Sequence, residues 1–411
     1  MSCIQSKPSI IQSLSRHLAY VSKIPSHLIP PVHRPTQIPP SILNTSFIPN
    51  PSSSFIRHIS LNSTSITMNE AIKSLLEQIE LSRKPAGSVP WELDSPHPQA
   101  IYSFDDAAKT WKKADTQLTK ESQSGEIKKL ALFSWNIDFM LPLARARMEA
   151  GLRELEVRIA ALPASTAAVV FLQECDPSDL ETIGRAAWVQ QGFLRTDVDT
   201  GAWASGAYGT TTLVDRRLRV KDVFRVHYAL TRMDRDALFV DVVFASGGSE
   251  NDGNGDGKII RFCNTHLESL AQEPAYRPPQ VALAAKFMRD EGIHGALLAG
   301  DLNAIQPFDR TLHETNGLRD AYLELGGRED SDEGYTWGQQ AAPELRRLYG
   351  CSRMDKVFYG GGVAIEKFAR FGADVQVVEE SERQEIVRWG GFEKPWITDH
   401  LGVFAEIVVK D

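Results

Sequence analysis

In the last two-thirds of the chain, polar side chains recur just where short apolar runs stop or start. Asn136 follows Trp135, Glu174 follows Phe171-Leu172-Gln173, and His266 follows Asn264-Thr265. Asp301 and Asn303 follow Leu297-Leu298-Ala299-Gly300, Asp355 follows Met354, and Asp399-His400 precede the final apolar run. Runs of strand length separated by amphipathic stretches belong to a layered α/β protein. The strand ends of such a sandwich can converge on one rim.

The spacing predicts strands at Leu130–Trp135, Ala167–Leu172, Gly209–Val214, Val220–Leu230, Ala237–Phe244, Ile259–Thr265, Gly295–Leu298, Met354–Tyr359 and Leu401–Val408. Helices are expected at Ala144–Leu162, Ser178–Gln191 and Gln280–Arg289. Consecutive strands with no helix between them, as from Gly209 to Thr265, imply antiparallel pairing. Two halves of this kind favour a four-layer α/β/β/α sandwich, two packed and mainly antiparallel sheets flanked by helices. No dinucleotide or phosphate-loop glycine fingerprint occurs.

Composition divides the chain before this region. The sequence has 411 residues and a net charge of −8, yet residues 1–69 contain no Asp or Glu. Ser and Pro crowd the same stretch, so residues 1–67 are expected to be disordered. Their basic, acid-free character fits a mitochondrial transit peptide, a plain tail, or an upstream extension with Met68 as the working start. Residues 68–126 read as a helical extension and linker: a helix from Asn69 to Leu81, a Pro-rich linker at Lys84–Gln99 and a second helix at Ser103–Leu118. The catalytic domain is expected at 127–411. Nucleus or cytoplasm are the other compartments the sequence allows.

No run approaches the ~20 apolar residues of a membrane span. The four cysteines, at 3, 175, 263 and 351, lack metal or disulfide spacing. Asp252-Gly-Asn254-Gly-Asp256-Gly257 begins like a calcium loop, but its twelfth position is Cys263, so a hairpin tip is the expectation.

Each strand-end residue alone has an ordinary explanation, since Asn and Asp cap turns and a His often satisfies a carbonyl. Together they supply hard oxygen ligands for Mg²⁺ or Mn²⁺, two imidazoles, and carboxylates to orient them. Phosphoester hydrolysis requires that set.

The segments Ser134-Trp135-Asn136-Ile137-Asp138, Leu172-Gln173-Glu174, His266-Leu267-Glu268-Ser269, Gly300-Asp301-Leu302-Asn303 and Thr398-Asp399-His400-Leu401-Gly402 resemble the motif series of the endonuclease/exonuclease/phosphatase superfamily. Within it, W-N-I-D, H-L-E-S, Tyr335-Thr336-Trp337 and D-H-L-G are most similar to the 5'-tyrosyl-DNA phosphodiesterases. One departure stands out: Ala304-Ile305-Gln306-Pro307 occupies the place where those enzymes carry Leu-Arg-Asp, and Arg310 is the candidate substitute for the missing Arg.

The resemblance implies a Mg²⁺-dependent phosphodiesterase, with Mn²⁺ as an alternative, acting on 5'-phosphotyrosyl adducts at single-stranded DNA ends as a monomer. Glu174 is the expected metal ligand, with Asn136 and Asp399 beside it. Asp301 would orient and deprotonate the attacking water and Asn303 would hold water or phosphate. His400, oriented by Asp355, and His266 would donate to phosphate oxygens. Trp337, Tyr208, Arg277 and Gln280 are candidates for gripping the nucleic acid, with packing as the other reading of the two aromatics. Asp138 and Glu268 are expected to orient neighbours. Another nuclease or phosphoester hydrolase of the superfamily is the first alternative, and a catalytically silent scaffold the alternative of another class.

Overall fold

The computed structural model describes residues 77, 79–85, 87–114, 127–244 and 257–411. The leader reading for residues 1–67, the start of the first predicted helix and most of the calcium-like loop lie outside them. The strands, in chain order, are β1 Pro96–Pro98, β2 Tyr102–Asp105, β3 Thr110–Lys113, β4 Lys129–Asn136, β5 Thr166–Cys175, β6 Phe193–Arg195, β7 Gly209–Asp215 and β8 Arg219–His227. They continue as β9 Asp236–Phe244, β10 Lys258–Thr265, β11 Ile293–Asp301, β12 Arg319–Asp320, β13 Asp355–Gly361, β14 Val363–Phe371 and β15 Gly402–Val409. The main helices are α1 Ala144–Ala160, α2 Pro177–Arg185, α3 Arg277–Phe287 and α4 Glu380–Gly390.

Seven strands form one sheet in the order β1-β8-β9-β10-β11-β13-β12, and eight form the other as β14-β15-β4-β5-β7-β6-β2-β3. Leu130, Leu132, Val169 and Phe171 from one sheet meet Val240, Phe262, Leu297 and Val357 from the other in the central core. Outside it, α1, α2 and α4 bury Met148, Leu155, Leu180 and Ile386 against the eight-stranded sheet. On the opposite face α3 buries Val281, Ala284 and Ala285 against Phe239, Leu298 and Phe358. The four-layer sandwich is therefore as the apolar runs imply.

Several expectations are corrected. The helix placed at Ser103–Leu118 is a β2–β3 hairpin over its described part. Asp105 accepts from the Ala107 and Ala108 amides and turns the chain, while Phe104 and Trp111 meet edge to face at 5.5 Å. Inside the expected linker, β1 pairs with β8. Strands β7 and β8, read as partners, lie in different sheets. The helix at Ser178–Gln191 breaks at Ala186, whose ψ of 118° is extended. The unpredicted β14 is an edge strand whose Glu366, Lys367 and Arg370 disguise its apolar face.

Buried Asp179 closes the first turn of α2 in a capping box with Asp176, accepting from the Asp176 amide at 2.8 Å. Its other oxygen has no hydrogen-bond partner among the described residues. Burial pushes its pKa up to about 7. The neutral acid is thus favoured in the fold, and stability falls as pH rises from the unfolded value near 3.8 through 7. Asp179→Asn is expected to stabilise the protein by about 2 kcal/mol at pH 8 and much less at pH 5. Equal Tm shifts at the two pH values in thermal melts would contradict this.

Candidate active site

Among the described residues two strand pairs are parallel, β4 with β5 and β10 with β11. Parallel neighbours finish at the same sheet edge, so β4 and β5 deliver Asn136 and Glu174 together, as β10 and β11 deliver His266 and Asp301. The antiparallel β13 starts where β11 stops, with Asp355 opposite Asp301. Strand β15 starts beside the end of β4, which brings in Asp399 and His400.

Local irregularities aim the side chains. A register shift between Leu172 and Cys175 marks a bulge that turns Glu174 out of the pleat, and Glu174 itself is left-handed at φ 56°. Asp138 and Asn303 share that conformation at 58° and 46°. Gly300 has φ 148°, and a Cβ there would lie 1.7 Å from the Thr265 carbonyl oxygen. Only glycine lets the two strand ends approach that closely.

Three donors surround one oxygen of Asp301. Asn136 Nδ2 donates to Asp301 Oδ2 at 3.0 Å, His266 Nε2 lies 3.3 Å from it and His400 Nε2 3.7 Å. Its other oxygen accepts from the Asn303 amide at 2.8 Å. Burial opposes ionisation of Asp301, but the His400 charge and the hydrogen bond from His266 outweigh it and hold the carboxyl well below the usual range. The Asn303 side-chain amide lies 3.0 Å from His266 Nε2 and donates to the Leu267 carbonyl at 3.1 Å.

The two imidazoles have opposite partners at Nδ1. His400 Nδ1 donates to Asp355 Oδ2 at 2.8 Å. Burial works against its charged form, but Asp355 and Asp301 raise its pKa well above 6.5. His266 Nδ1 instead faces Arg235 Nη1 at 2.6 Å. A guanidinium only donates, so Nδ1 accepts and the ring hydrogen sits on Nε2, toward Asp301. Arg235 was not foreseen from the sequence, where nothing in Thr231–Asp236 marks it.

Glu174, His266 and Asp301 place ligand atoms within 4.8 Å of one another. Asp138 and Asp399 belong to the same acidic neighbourhood. Burial, then the Asp399 and Glu174 charges, push Asp138 up to about 8. Asp399 is likewise raised, chiefly by burial. Carboxylate oxygens are the ligand type Mg²⁺ takes. Asp138 Oδ1 accepts from the Met140 amide at 3.0 Å, and the Asp138 amide donates to Asn136 Oδ1 at 2.8 Å.

The residues expected to grip nucleic acid are buried and have partners within the protein or are paired at its surface. Arg277 is 2% exposed, pairs bidentately with Asp309 at 2.9 and 2.8 Å, and donates to the Glu268 and Leu270 carbonyls. Gln280 accepts from the Glu268 amide and donates to the Leu230 carbonyl. Both brace the loop after His266 from inside α3. Glu268 orients its neighbours as expected, accepting from Thr231 Oγ1 and the Arg232 amide. Tyr208 is buried, its hydroxyl bonded to the Met233 carbonyl. The Trp337 indole donates to Asp399 Oδ2 at 2.6 Å and so holds that carboxylate. Arg310 is committed to Asp330 at 2.7 and 2.8 Å.

The sequence model of the endonuclease/exonuclease/phosphatase family matches residues 133–400. No curated protein matches. Among solved structures, D. rerio TDP2 complexed with single-strand DNA product is 19% identical, with a TM-score of 0.49 over 68% of this chain and 98% of that one. TDP2 from Caenorhabditis elegans is 20% identical, with a TM-score of 0.49 over 70% and 77%. The human Nocturnin catalytic domain is 14% identical, with a TM-score of 0.45 over 69% and 95%. The matched segment runs from β4 to His400 and thus contains every strand end gathered at this rim: the chain belongs to the endonuclease/exonuclease/phosphatase family and is a metal-dependent phosphoester hydrolase.

Proposed function

We propose that the chain is a Mg²⁺-dependent phosphodiesterase that removes tyrosyl adducts from 5' ends of single-stranded DNA, acting as a monomer. The observation that carries the reaction type is the convergence of Asn136, His266 and His400 on Asp301 Oδ2 beside an acidic cluster. The W-N-I-D, H-L-E-S, Y-T-W and D-H-L-G segments support the tyrosyl-DNA substrate.

Glu174, with Asn136 and Asp399 beside it, would hold the divalent ion. When bound, such an ion neutralises phosphate charge as a Lewis acid. Asp301, kept ionised, orients the attacking water by accepting one of its hydrogens. So depressed a carboxyl is a weak base, and its contribution is mainly orientation. His400, His266 and Asn136 are donors that turn from Asp301 to the non-bridging phosphate oxygens and stabilise the charge that grows there. A tyrosyl leaving group departs as a phenolate of pKa near 10, so strong proton donation to it is unnecessary.

A second reading, another nuclease or phosphodiester hydrolase of the family, is favoured by one observation. Ala304-Ile305-Gln306 stands where the tyrosyl-DNA enzymes carry Leu-Arg-Asp, and Arg310 is paired with Asp330 at the surface. Release of tyrosine from a 5'-phosphotyrosyl oligonucleotide, beside an abasic duplex and an inositol phosphate, separates the two. We expect release from the first alone, abolished by EDTA and restored by Mg²⁺; cleavage of a comparison substrate instead would select the second reading. For location we propose nucleus or cytoplasm, with mitochondrial import by residues 1–67 as the competing case. A reporter fused to those residues distinguishes them.

A further inference from the structure

Phe139 directly follows the W-N-I-D segment, on the turn that left-handed Asp138 makes. Its amide donates to Glu174 Oε2 at 3.2 Å, which fixes its backbone against the acidic cluster. Its ring lies on Tyr208, with centroids 4.2 Å apart and planes 17° from parallel. Tyr208 in turn lies over the Arg235 guanidinium at 5.3 Å, and Arg235 reaches His266 Nδ1. A stack of Phe139, Tyr208 and Arg235 thus connects the Glu174 side of the site to the His266 side.

Within the stack only Phe139 is open. Tyr208 is 4% exposed, packed on Ile79 and Met233, and its hydroxyl is used. Arg235 is 5% exposed and bonded to His266 and Ser269. Phe139 is half-buried, and its neighbour Met140 is 52% exposed. Leaving a large ring half in water sacrifices apolar burial. A ring fixed beside a phosphate-handling centre by stacking and by its own amide is also a preorganised surface for a flat partner.

We infer that Phe139 is a specificity-determining residue, a platform on which a planar aromatic group attached to the scissile phosphate stacks. The inference rests on the phosphodiesterase reading above. Two sources share this chemistry, an aryl leaving group and the first nucleobase. Phe has no polar atom on its ring, so the contact favours flatness over any hydrogen-bonding pattern.

The test measures binding, so that it does not depend on turnover of any one substrate. Full-length wild type, Phe139→Leu and Phe139→Trp are titrated in Mg²⁺ with labelled single-stranded oligonucleotides ending in a non-hydrolysable 5'-phosphonate. The phosphonate carries a phenyl or an ethyl group, each with and without the first base. Leu keeps the apolar packing and removes the π face. For ligands with a planar group, Phe139→Leu is expected to raise Kd by about tenfold more than for the ethyl, abasic ligand, and Phe139→Trp to restore it. A loss tied to phenyl assigns the platform to the leaving group, and one tied to the base assigns it to the nucleotide.

Equal losses on all four ligands, no loss at unchanged Tm, or failure of wild type to bind any of them would each overturn the inference. Wild type that binds and discriminates but leaves a phosphotyrosyl oligonucleotide intact would uphold the platform and reject the tyrosyl reading alone.

Discussion

Glu174→Gln and Asp301→Asn are each expected to lower kcat by at least about 10³-fold, some 4 kcal/mol of transition-state stabilisation, while the protein stays folded. The two losses should differ in kind. Glu174 sits among Asp138 and Asp399, whose ionisation its charge opposes. Neutralising it removes repulsion, so Tm in EDTA should hold or rise as Mg²⁺ affinity falls. Asp301 instead neutralises the His400 imidazolium and accepts from His266, and its loss leaves both Nε2 groups without the shared acceptor. Tm should drop there, with Mg²⁺ affinity less affected. Calorimetric Mg²⁺ titration, melting and kcat on each variant check the pattern; full activity in either would place the chemistry elsewhere.

Asp355→Asn is expected to change the pH profile more than the structure. In the wild type, Asp355 and Asp301 raise His400 well above 6.5 against the effect of burial, so the imidazolium persists through neutral pH. Removing the Asp355 charge lets burial count for more, and the His400 pKa falls. The basic limb of the kcat profile should move down by about 1 to 2 units. Activity at pH 8 should fall by roughly tenfold, with a far smaller loss at pH 6. A parallel loss at every pH would show that Asp355 acts through shape alone.

The site was legible to the extent that it is written in strand ends. Asn136, Glu174, His266, Asp301, Asp355 and His400 each terminate or precede an apolar run, and pleated strands of similar length carry such ends to a common edge. What escaped depends on contacts between distant segments. Arg235 lies in a loop without periodicity and acquires its place only when β9 pairs with β10 beside His266. Asp138 gains its neighbours through a left-handed turn that composition does not announce.

Arg277 and Gln280 lie three residues apart, on one face of α3, and that face turns inward on the loop after His266. The family resemblance made them candidates for gripping nucleic acid, which would need the same side chains to face outward. In the β2–β3 hairpin, Phe104 and Trp111 pair across the strands, yet seven residues apart they also fit one helical face. The Asx turn at Asp105 decides for the hairpin.

The stretch from β1 to β3 has a practical consequence. It begins on the outer edge of one sheet and ends on the outer edge of the other, so a single short segment covers two borders at once. A recombinant fragment begun at Ile127, where composition places the domain start, would uncover the backbone of β8 and β6. Bare strand borders recruit further copies of the same chain. Expression should therefore begin upstream of Pro96, and a fragment begun at Ile127 should come out of the cell as aggregate even though every residue of the metal site is in it.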